Sequence, residues 1–189
     1  MGKAVYVLLG LMLATVPGTA QTLEHLYSPG TNLERSELAQ LDTATRSVDV
    51  AMYSFTDREL AEELAALAHK GVKVRVYRDR EQYQQEGQRD AQNTTAILLA
   101  AGIEVRVKGA RDLMHLKSYA IDGRLLRTGS ANWSPTGLKR QDNDVQYESS
   151  PETRGIRGCY EVASLMILAV MRMAKAMKWM PLSVFGSRS

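Results

Sequence analysis

A histidine, a lysine and several neutral hydrogen-bond donors lie close together between residues 115 and 132. His115 and Lys117 are two residues apart, so in a β-strand both side chains leave the same face of the sheet. Ser130 and Asn132 have the same spacing further along the chain. An imidazole is a nucleophile and a proton carrier, while a lysine ammonium and neutral donors can hold phosphate oxygens. The pattern therefore predicts a phosphate site that contains a potential nucleophile.

Turn and helix signals indicate how the chain positions these residues. Asp122 and Gly123 separate two apolar runs, which is a strong signal for a two-residue hairpin turn, so we interpret Asp122 as a structural turn residue. After the second strand, Ser134 and Pro135 are residues favoured at the cap and at the first position of a helix. A helix that begins here would direct free backbone N–H groups towards an anion.

The order His115-x-Lys117-x4-Asp122, followed by Gly129-Ser130-x-Asn132, resembles the signature of the phospholipase D superfamily. A short chain with a single copy of the motif is similar to the bacterial endonuclease branch of that superfamily. The resemblance covers roughly residues 22 to 149, including Tyr53-Ser54-Phe55-Thr56, and it fails after Ser150. In this motif Asp122 and Gly129 are structural residues.

The resemblance implies a mechanism and an assembly. Two motifs face each other across a pseudo-twofold axis: one histidine attacks phosphorus to form a phosphohistidine, and the other protonates the leaving group. A chain with one motif must then form a homodimer through a twofold interface. Lys117, Ser130 and Asn132 of both subunits would hold the non-bridging oxygens in place of a divalent metal. We therefore expect neither a cofactor nor a metal.

A carboxylate that orients the histidine is expected near the start of the last strand. The superfamily usually has an acidic residue here, and Asp142 best matches its position. Such a carboxylate would set the tautomer of His115 and stabilise its protonated form. Asp144, two residues further on, is the alternative.

Strands and helices alternate along the middle of the chain. Apolar periodicity and capping residues predict helices over residues 33–45, 56–71 and 94–101, and strands over 48–52, 72–77 and 103–107. This alternation predicts one α/β domain, a mixed β-sheet flanked by helices as in the phospholipase D-like sandwich. The polar, Gln-rich segment from Glu81 to Asn93 is interpreted as a mobile loop over the site.

The two ends of the chain differ from the domain expected over residues 21–151. Residues 1–20 have one lysine, an apolar run and small residues before Gln21, which is typical of a cleaved signal peptide. We therefore expect a periplasmic or secreted protein, with an uncleaved anchor as the alternative. Residues 152–189 form an atypical tail rich in methionine and basic residues. This tail fits a divergent core helix, a membrane-surface helix or a reading-frame change.

Charge and composition narrow the possible partners. Residues 21–151 contain 17 basic and 19 acidic residues, so net charge gives no independent support for nucleic acid. A polyanion would need local basic contacts, for which the candidates are Arg78, Arg80, Arg89, Lys108, Arg111, Lys139 and Arg140. The single cysteine excludes an intramolecular disulfide framework, and the three histidines lack metal-ligand spacing. We interpret His25 as a surface residue in a loop and His69 as a structural residue at a helix end.

Three functions fit this sequence. The first is an exported, metal-independent endonuclease that cleaves DNA or RNA with little sequence preference. The second is a lipid phosphodiesterase, since similar sites cleave phospholipids in larger relatives and the tail could bind a membrane. The third is an inactive nucleic-acid-binding dimer. The short chain and the single motif favour the endonuclease.

Overall fold

The computed structural model describes residues 22–90, 93–109 and 112–149, so the expected signal peptide and the 152–189 tail lie outside the described residues. Within these ranges the chain forms seven strands and five helices. The strands are β1 (Thr22–Ser28), β2 (Ser47–Met52), β3 (Lys73–Arg78), β4 (Glu104–Val107), β5 (Lys117–Ile121), β6 (Leu125–Gly129) and β7 (Asn143–Ser149). The helices are α1 (Leu33–Leu41), α2 (Arg58–His69), α3 (Arg80–Arg89), α4 (Thr94–Ala100) and α5 (Pro135–Lys139).

The strands form one mixed sheet in the order β1-β7-β6-β5-β2-β3-β4. Strands β2, β3 and β4 are parallel, because helices carry the chain back between them, whereas the other neighbours are antiparallel. This topology confirms the expected α/β architecture. It also places the carboxyl end of β2 beside the amino end of β5, where Met52 is paired with Lys117.

The hydrophobic core lies between the sheet and helices α1, α2 and α4. Val50 of β2 and Val76 of β3 are fully buried in the same cluster as Leu60 and Leu64 of α2. Burying such a side chain stabilises the fold by about 1.5–3 kcal/mol. In the described part of the chain, no helix is long and apolar enough to cross a membrane.

Two segments differ from the sequence-based interpretation. The mobile loop assigned to residues 81–93 is wrong for most of its length, because α3 occupies Arg80–Arg89. Asp79 caps this helix by accepting hydrogen bonds from the backbone N–H groups of Glu81 and Gln82, and Glu86 anchors it to the core. His25 lies in edge strand β1 rather than in a loop. Most residues of β1 are exposed, so the strand lacks the apolar alternation that identifies strands in a sequence.

Candidate functional site

The candidate nucleophile lies at the amino end of β5. His115 is exposed, whereas Lys117 is only 8% exposed. The Lys117 Nζ lies 3.3 Å from His115 Nδ1 and 3.2 Å from Nε2. An ammonium almost equally far from both ring nitrogens cannot donate a well-directed hydrogen bond to both of them. The contact therefore places a positive charge against the imidazole, and at least one ring nitrogen is left available for attack on a substrate.

Burial and a neighbouring cation both act on this lysine. Burial lowers the pKa of Lys117, and the positive charge of Arg127 lowers it further. The ammonium also donates a hydrogen bond to the His115 carbonyl oxygen at 3.0 Å. These contacts fix the position of the Lys117 head group beside the imidazole.

Tyr53 forms one wall of the site, although the sequence analysis gave it no role. Its ring meets His115 edge to face at 4.5 Å between centroids, and Lys117 Nζ lies 5.2 Å from the Tyr53 centroid. Gln82 Nε2 lies 3.3 Å from the Tyr53 hydroxyl and donates a hydrogen bond to it. The sequence signal that could have identified Tyr53 is its position directly after β2, because sites commonly form at the carboxyl end of parallel strands.

Asn132 and Ser130 lie on the loop that follows β6. The Asn132 Oδ1 accepts a hydrogen bond from the Ser54 backbone N–H at 3.4 Å, so its amide NH₂ group remains as a donor. The Ser130 Oγ lies 2.5 Å from Asp144 Oδ1 and accepts a hydrogen bond from the Asp144 backbone N–H at 2.9 Å. Because a carboxylate only accepts, Ser130 donates its hydroxyl hydrogen to Asp144 in this structure.

Close backbone contacts hold this loop in place. Gly129 has a φ of 141°, and a Cβ here would lie 2.4 Å from the Asp144 carbonyl oxygen, so only glycine fits. The buried Trp133 accepts backbone hydrogen bonds from Thr56 and Asp57 through its carbonyl oxygen. Ser134 and Pro135 begin α5 as the sequence predicts, with the Ser134 Oγ accepting from Gly137 N–H at 3.1 Å.

A buried ion pair lies beneath the site. Arg127 and Glu37 are both 0% exposed, and Arg127 Nε lies 2.7 Å from Glu37 Oε1. The same guanidinium donates to the Lys117 carbonyl oxygen at 2.6 Å and to the Ala131 carbonyl oxygen at 3.1 Å. It therefore ties the strand that carries Lys117 to the loop that carries Asn132. The sequence analysis did not find this pair, although Arg127 shares strand parity with the buried Leu125.

The structure does not bring Asp142 to His115. Asp142 is exposed in the bend before β7, and its side chain has no hydrogen bond or ion pair to any described residue. Asp144 contacts Ser130, and its Oδ2 lies 3.2 Å from His25 Nε2. The hydrogen bond from Ser130 lowers the pKa of Asp144, and the contact with His25 lowers it further.

Asp122 lies at the opposite end of β5 from His115. The five residues of β5 lie between them, and at about 3.3 Å per residue they span roughly 17 Å. Asp122 has a φ of 55°, and its carboxylate accepts hydrogen bonds from the N–H groups of residues 45, 46 and 47 and from the Thr45 hydroxyl. Burial raises its pKa, but these hydrogen bonds lower it more, so the net shift is downward. The turn contains three residues rather than the predicted two, since Ile121 pairs with Leu125.

The prediction that Arg78 contacts the substrate is wrong. Its side chain is 0% exposed, with Nη2 2.6 Å from Glu86 Oε1 and 3.1 Å from the Phe55 carbonyl oxygen. A buried, ion-paired guanidinium cannot reach a phosphate on the surface, so Arg78 is a core residue here.

Two other basic candidates, Arg80 and Lys108, have structural contacts. Arg80 donates to the Lys108 and Gly109 carbonyl oxygens, and Lys108 donates to the Leu113 carbonyl oxygen at 3.4 Å. These contacts support the segment that leads to His115. Arg89 and Arg140 are exposed, and Arg111 lies outside the described residues.

Lys139 belongs to a separate charged cluster. It forms an ion pair with Glu34, and Asp57 lies beside Glu34. Burial raises the pKa of Asp57 to about 6, and the neighbouring Glu34 raises it as well. The cluster ties α1, α2 and α5 together rather than serving the candidate site.

Two further observations concern what the site could bind. Leu113 and Leu116, on either side of His115, are 51% and 43% exposed. No group of three or more His, Cys, Asp or Glu residues is arranged to hold a metal ion in the described ranges.

Comparisons with known proteins agree with this geometry. A family model described as cardiolipin synthase, PLD-like domain, matches residues 38–156. The chain is 33% identical over 132 residues to a mitochondrial cardiolipin hydrolase of Chlamydomonas reinhardtii, which covers 70% of this chain and 56% of the relative. It is 31% identical over 137 residues to the human mitochondrial cardiolipin hydrolase, covering 72% and 51% respectively. The chain thus spans about half the length of these curated relatives.

Two solved structures share the fold over nearly their whole length. NucT of Helicobacter pylori superposes with a TM-score of 0.64 at 22% identity, over 84% of this chain and 96% of NucT. Nuc of Salmonella typhimurium, described as a phospholipase D family member, superposes with a TM-score of 0.63 at 18% identity, over 84% and 94%.

Proposed function

Because this chain belongs to the phospholipase D-like superfamily, whose members are phosphodiesterases, we propose that it cleaves phosphodiester bonds in nucleic acid. The observation that supports this proposal is the exposed His115 imidazole with the Lys117 ammonium 3.2 Å from its Nε2. The enzyme is a metal-independent endonuclease of low sequence specificity that acts outside the cytoplasm as a homodimer. The single motif, which resembles the endonuclease branch of the superfamily, favours a nucleic-acid substrate, and the fold shared with NucT and Nuc over nearly their whole length is compatible with it.

The proposed reaction needs two imidazoles. One His115 attacks phosphorus, so that a P–N bond forms and the P–O bond to the leaving group breaks, while a second, protonated imidazole gives its proton to the leaving oxygen. That second imidazole then takes a proton from water, and the resulting hydroxide cleaves the phosphohistidine. Lys117 and the Asn132 amide stabilise the charge on the equatorial oxygens.

The need for a second imidazole supports a dimer. Among the described residues, no other histidine contacts His115 or Lys117. A twofold dimer would supply the second His115 from the same sequence. The role of a carboxylate in orienting that ring stays a prediction for Asp142, with Asp144 as the alternative.

A lipid phosphodiesterase is the second candidate, favoured by two exposed leucines in the segment that carries His115. Leu113 and Leu116 expose apolar side chains that an acyl chain could contact. The curated relatives are named cardiolipin hydrolases. A lipid substrate would bring apolar groups to these leucines, whereas nucleic acid would not use them.

One preparation tested on four substrates separates the candidates. We expect the purified protein to cleave plasmid DNA, single-stranded DNA or RNA faster than cardiolipin in vesicles, and to do so in excess EDTA. His115→Ala should abolish turnover, while His69→Ala, at the exposed end of α2, should keep it. Preferential cleavage of cardiolipin would favour the second candidate. Activity that EDTA removes and magnesium or zinc restores would refute metal independence.

Export and assembly need separate measurements. The intact mass of the protein recovered outside the cytoplasm should correspond to a chain that begins at Gln21. Light scattering should give twice the mass of one chain. A monomer that cleaves at full rate would contradict the proposed dimer.

A further inference from the structure

A second histidine connects to the candidate site through hydrogen bonds. His25 lies in β1, where Tyr27 pairs with Asp144 of β7, so these side chains share one face of the sheet. The His25 Nε2 is 3.2 Å from Asp144 Oδ2, and its Nδ1 is 3.1 Å from the Tyr27 hydroxyl. If Tyr27 donates to Nδ1, then Nε2 carries the hydrogen and donates to Asp144. Both ring nitrogens are thus occupied by defined partners.

The connection continues from Asp144 to Ser130. The Asp144 Oδ1 accepts from the Ser130 backbone N–H at 3.0 Å and from the Ser130 hydroxyl at 2.5 Å. Each oxygen of this carboxylate therefore has its own partner, Oδ2 with His25 and Oδ1 with Ser130. The chain of contacts runs from an exposed edge strand to a residue of the candidate phosphate site.

This arrangement limits what Ser130 can do alone. Its hydroxyl hydrogen points to Asp144, so a phosphate oxygen can receive it only if Asp144 gives it up. A donor on Oδ2 draws charge away from Oδ1, and it therefore weakens the hold of Oδ1 on the Ser130 hydroxyl hydrogen.

We propose that His25 is a positioning residue for phosphate binding, acting through Asp144 on the Ser130 hydroxyl. The inference rests on the proposed function only in taking Ser130 to be a phosphate donor. A hydroxyl that binds the substrate and the transition state with equal strength changes the binding step and not the chemical step. His25, which acts on that hydroxyl, should therefore influence KM rather than kcat.

The test measures orthophosphate affinity by calorimetry, together with KM and kcat for bis(p-nitrophenyl) phosphate. We expect His25→Leu to raise the orthophosphate Kd and the KM about threefold to tenfold, the effect of one hydrogen bond, with kcat within twofold. His25→Gln, whose amide can still donate to Asp144, should restore most of the affinity. Tyr27→Phe removes one of the two partners of Nδ1 and leaves the Gln146 amide 3.4 Å away, so it should have a smaller effect in the same direction. His69→Leu is the matched control and should behave as wild type.

A double-mutant cycle separates this role from a general structural one. In a Ser130→Ala background, His25→Leu should change the orthophosphate Kd by less than twofold, because the residue through which it acts is gone. An equal effect in both backgrounds, or no effect in wild type, would overturn the proposal. Wild-type protein that binds orthophosphate but cleaves no diester would refute the proposed function alone. The role of His25 would then still be tested by the orthophosphate Kd values of the double-mutant cycle. Wild-type protein that does not bind orthophosphate would refute both.

Discussion

Replacing Asp122 by asparagine should lower stability without changing the chemistry of the site. Asparagine tolerates a φ of 55° and has the same shape, so the turn itself is preserved. Asparagine keeps one oxygen, its amide oxygen, which can accept from the Arg46 and Ser47 N–H groups that lie 2.7 and 2.8 Å from Oδ1 in the wild-type protein. The new NH₂ group then faces the Thr45 N–H, which loses its partner.

The expected loss follows from these contacts. The unpaired Thr45 N–H costs about 1–3 kcal/mol, and loss of the charge on the two remaining hydrogen bonds costs about 0.5–1 kcal/mol each. We therefore expect Asp122→Asn to lower the free energy of unfolding by about 3 kcal/mol. Asp122→Ala should cost at least about 2 kcal/mol more, because it also removes the acceptor of the Arg46 and Ser47 N–H groups and because alanine disfavours a positive φ.

Urea unfolding followed by tryptophan fluorescence measures this loss, since Trp133 is fully buried. The pKa of Asp122 is lowered in the folded state, so its contribution is present above the unfolded pKa of about 3.9 and is lost as pH falls through the folded value. The difference between the two proteins should therefore be constant near neutral pH and should shrink below about pH 4. A difference in unfolding free energy under about 0.5 kcal/mol would refute the stabilising role of the Asp122 carboxylate, because ordinary surface substitutions have effects of that size. A tenfold loss of turnover in folded Asp122→Asn would refute the conclusion that Asp122 takes no part in the chemistry of the site.

Three other predictions concern charged groups. His115→Ala should retain less than about 1% of wild-type turnover, a loss of at least about 2.7 kcal/mol of transition-state stabilisation, with the same unfolding midpoint. Asp57→Asn should match wild type near pH 4 and be about 2 kcal/mol more stable at pH 7. The raised folded pKa of about 6 makes wild-type stability fall as pH rises through that range. Parallel urea titrations across pH 4–7 would show whether the two curves diverge. Asp144→Asn should lower KM, because a neutral amide oxygen holds the Ser130 hydroxyl hydrogen more weakly than a carboxylate does, and a several-fold rise in KM would contradict this role of Asp144. If Asp142 orients His115, Asp142→Asn should instead reduce kcat in steady-state kinetics.

Features set by neighbouring residues could be predicted from the sequence. The turn at Asp122 and the start of α5 at Ser134 depend on the backbone preferences of a few adjacent residues, and the spacing of His115 and Lys117 depends only on strand geometry. The alternation of apolar residues similarly identified β2, β3 and the helix between them. In each case the physical cause lies within a few residues of the signal.

Features that depend on distant partners could not be predicted. Edge strand β1 exists because it pairs with β7, more than a hundred residues away. Arg78 looked like a surface cation because its buried partner, Glu86, lies in a segment that seemed too polar for the core. The contacts of Asp142 and Asp144 depend on which residue enters β7: Asp144 lies in that strand against Ser130, whereas Asp142 is exposed in the bend before it.

The Arg127–Glu37 ion pair has a consequence for how the site meets its substrate. A guanidinium that holds the carbonyl oxygens of both Lys117 and Ala131 sets the separation of the phosphate-binding groups before any ligand arrives. The reorganisation energy of arranging these groups is then incurred once, during folding, and not in each turnover. Glu37 lies on α1, outside the motif, yet its loss would leave a buried positive charge and let the two segments move independently. The geometry of the proposed site therefore depends on a fully buried carboxylate outside the motif.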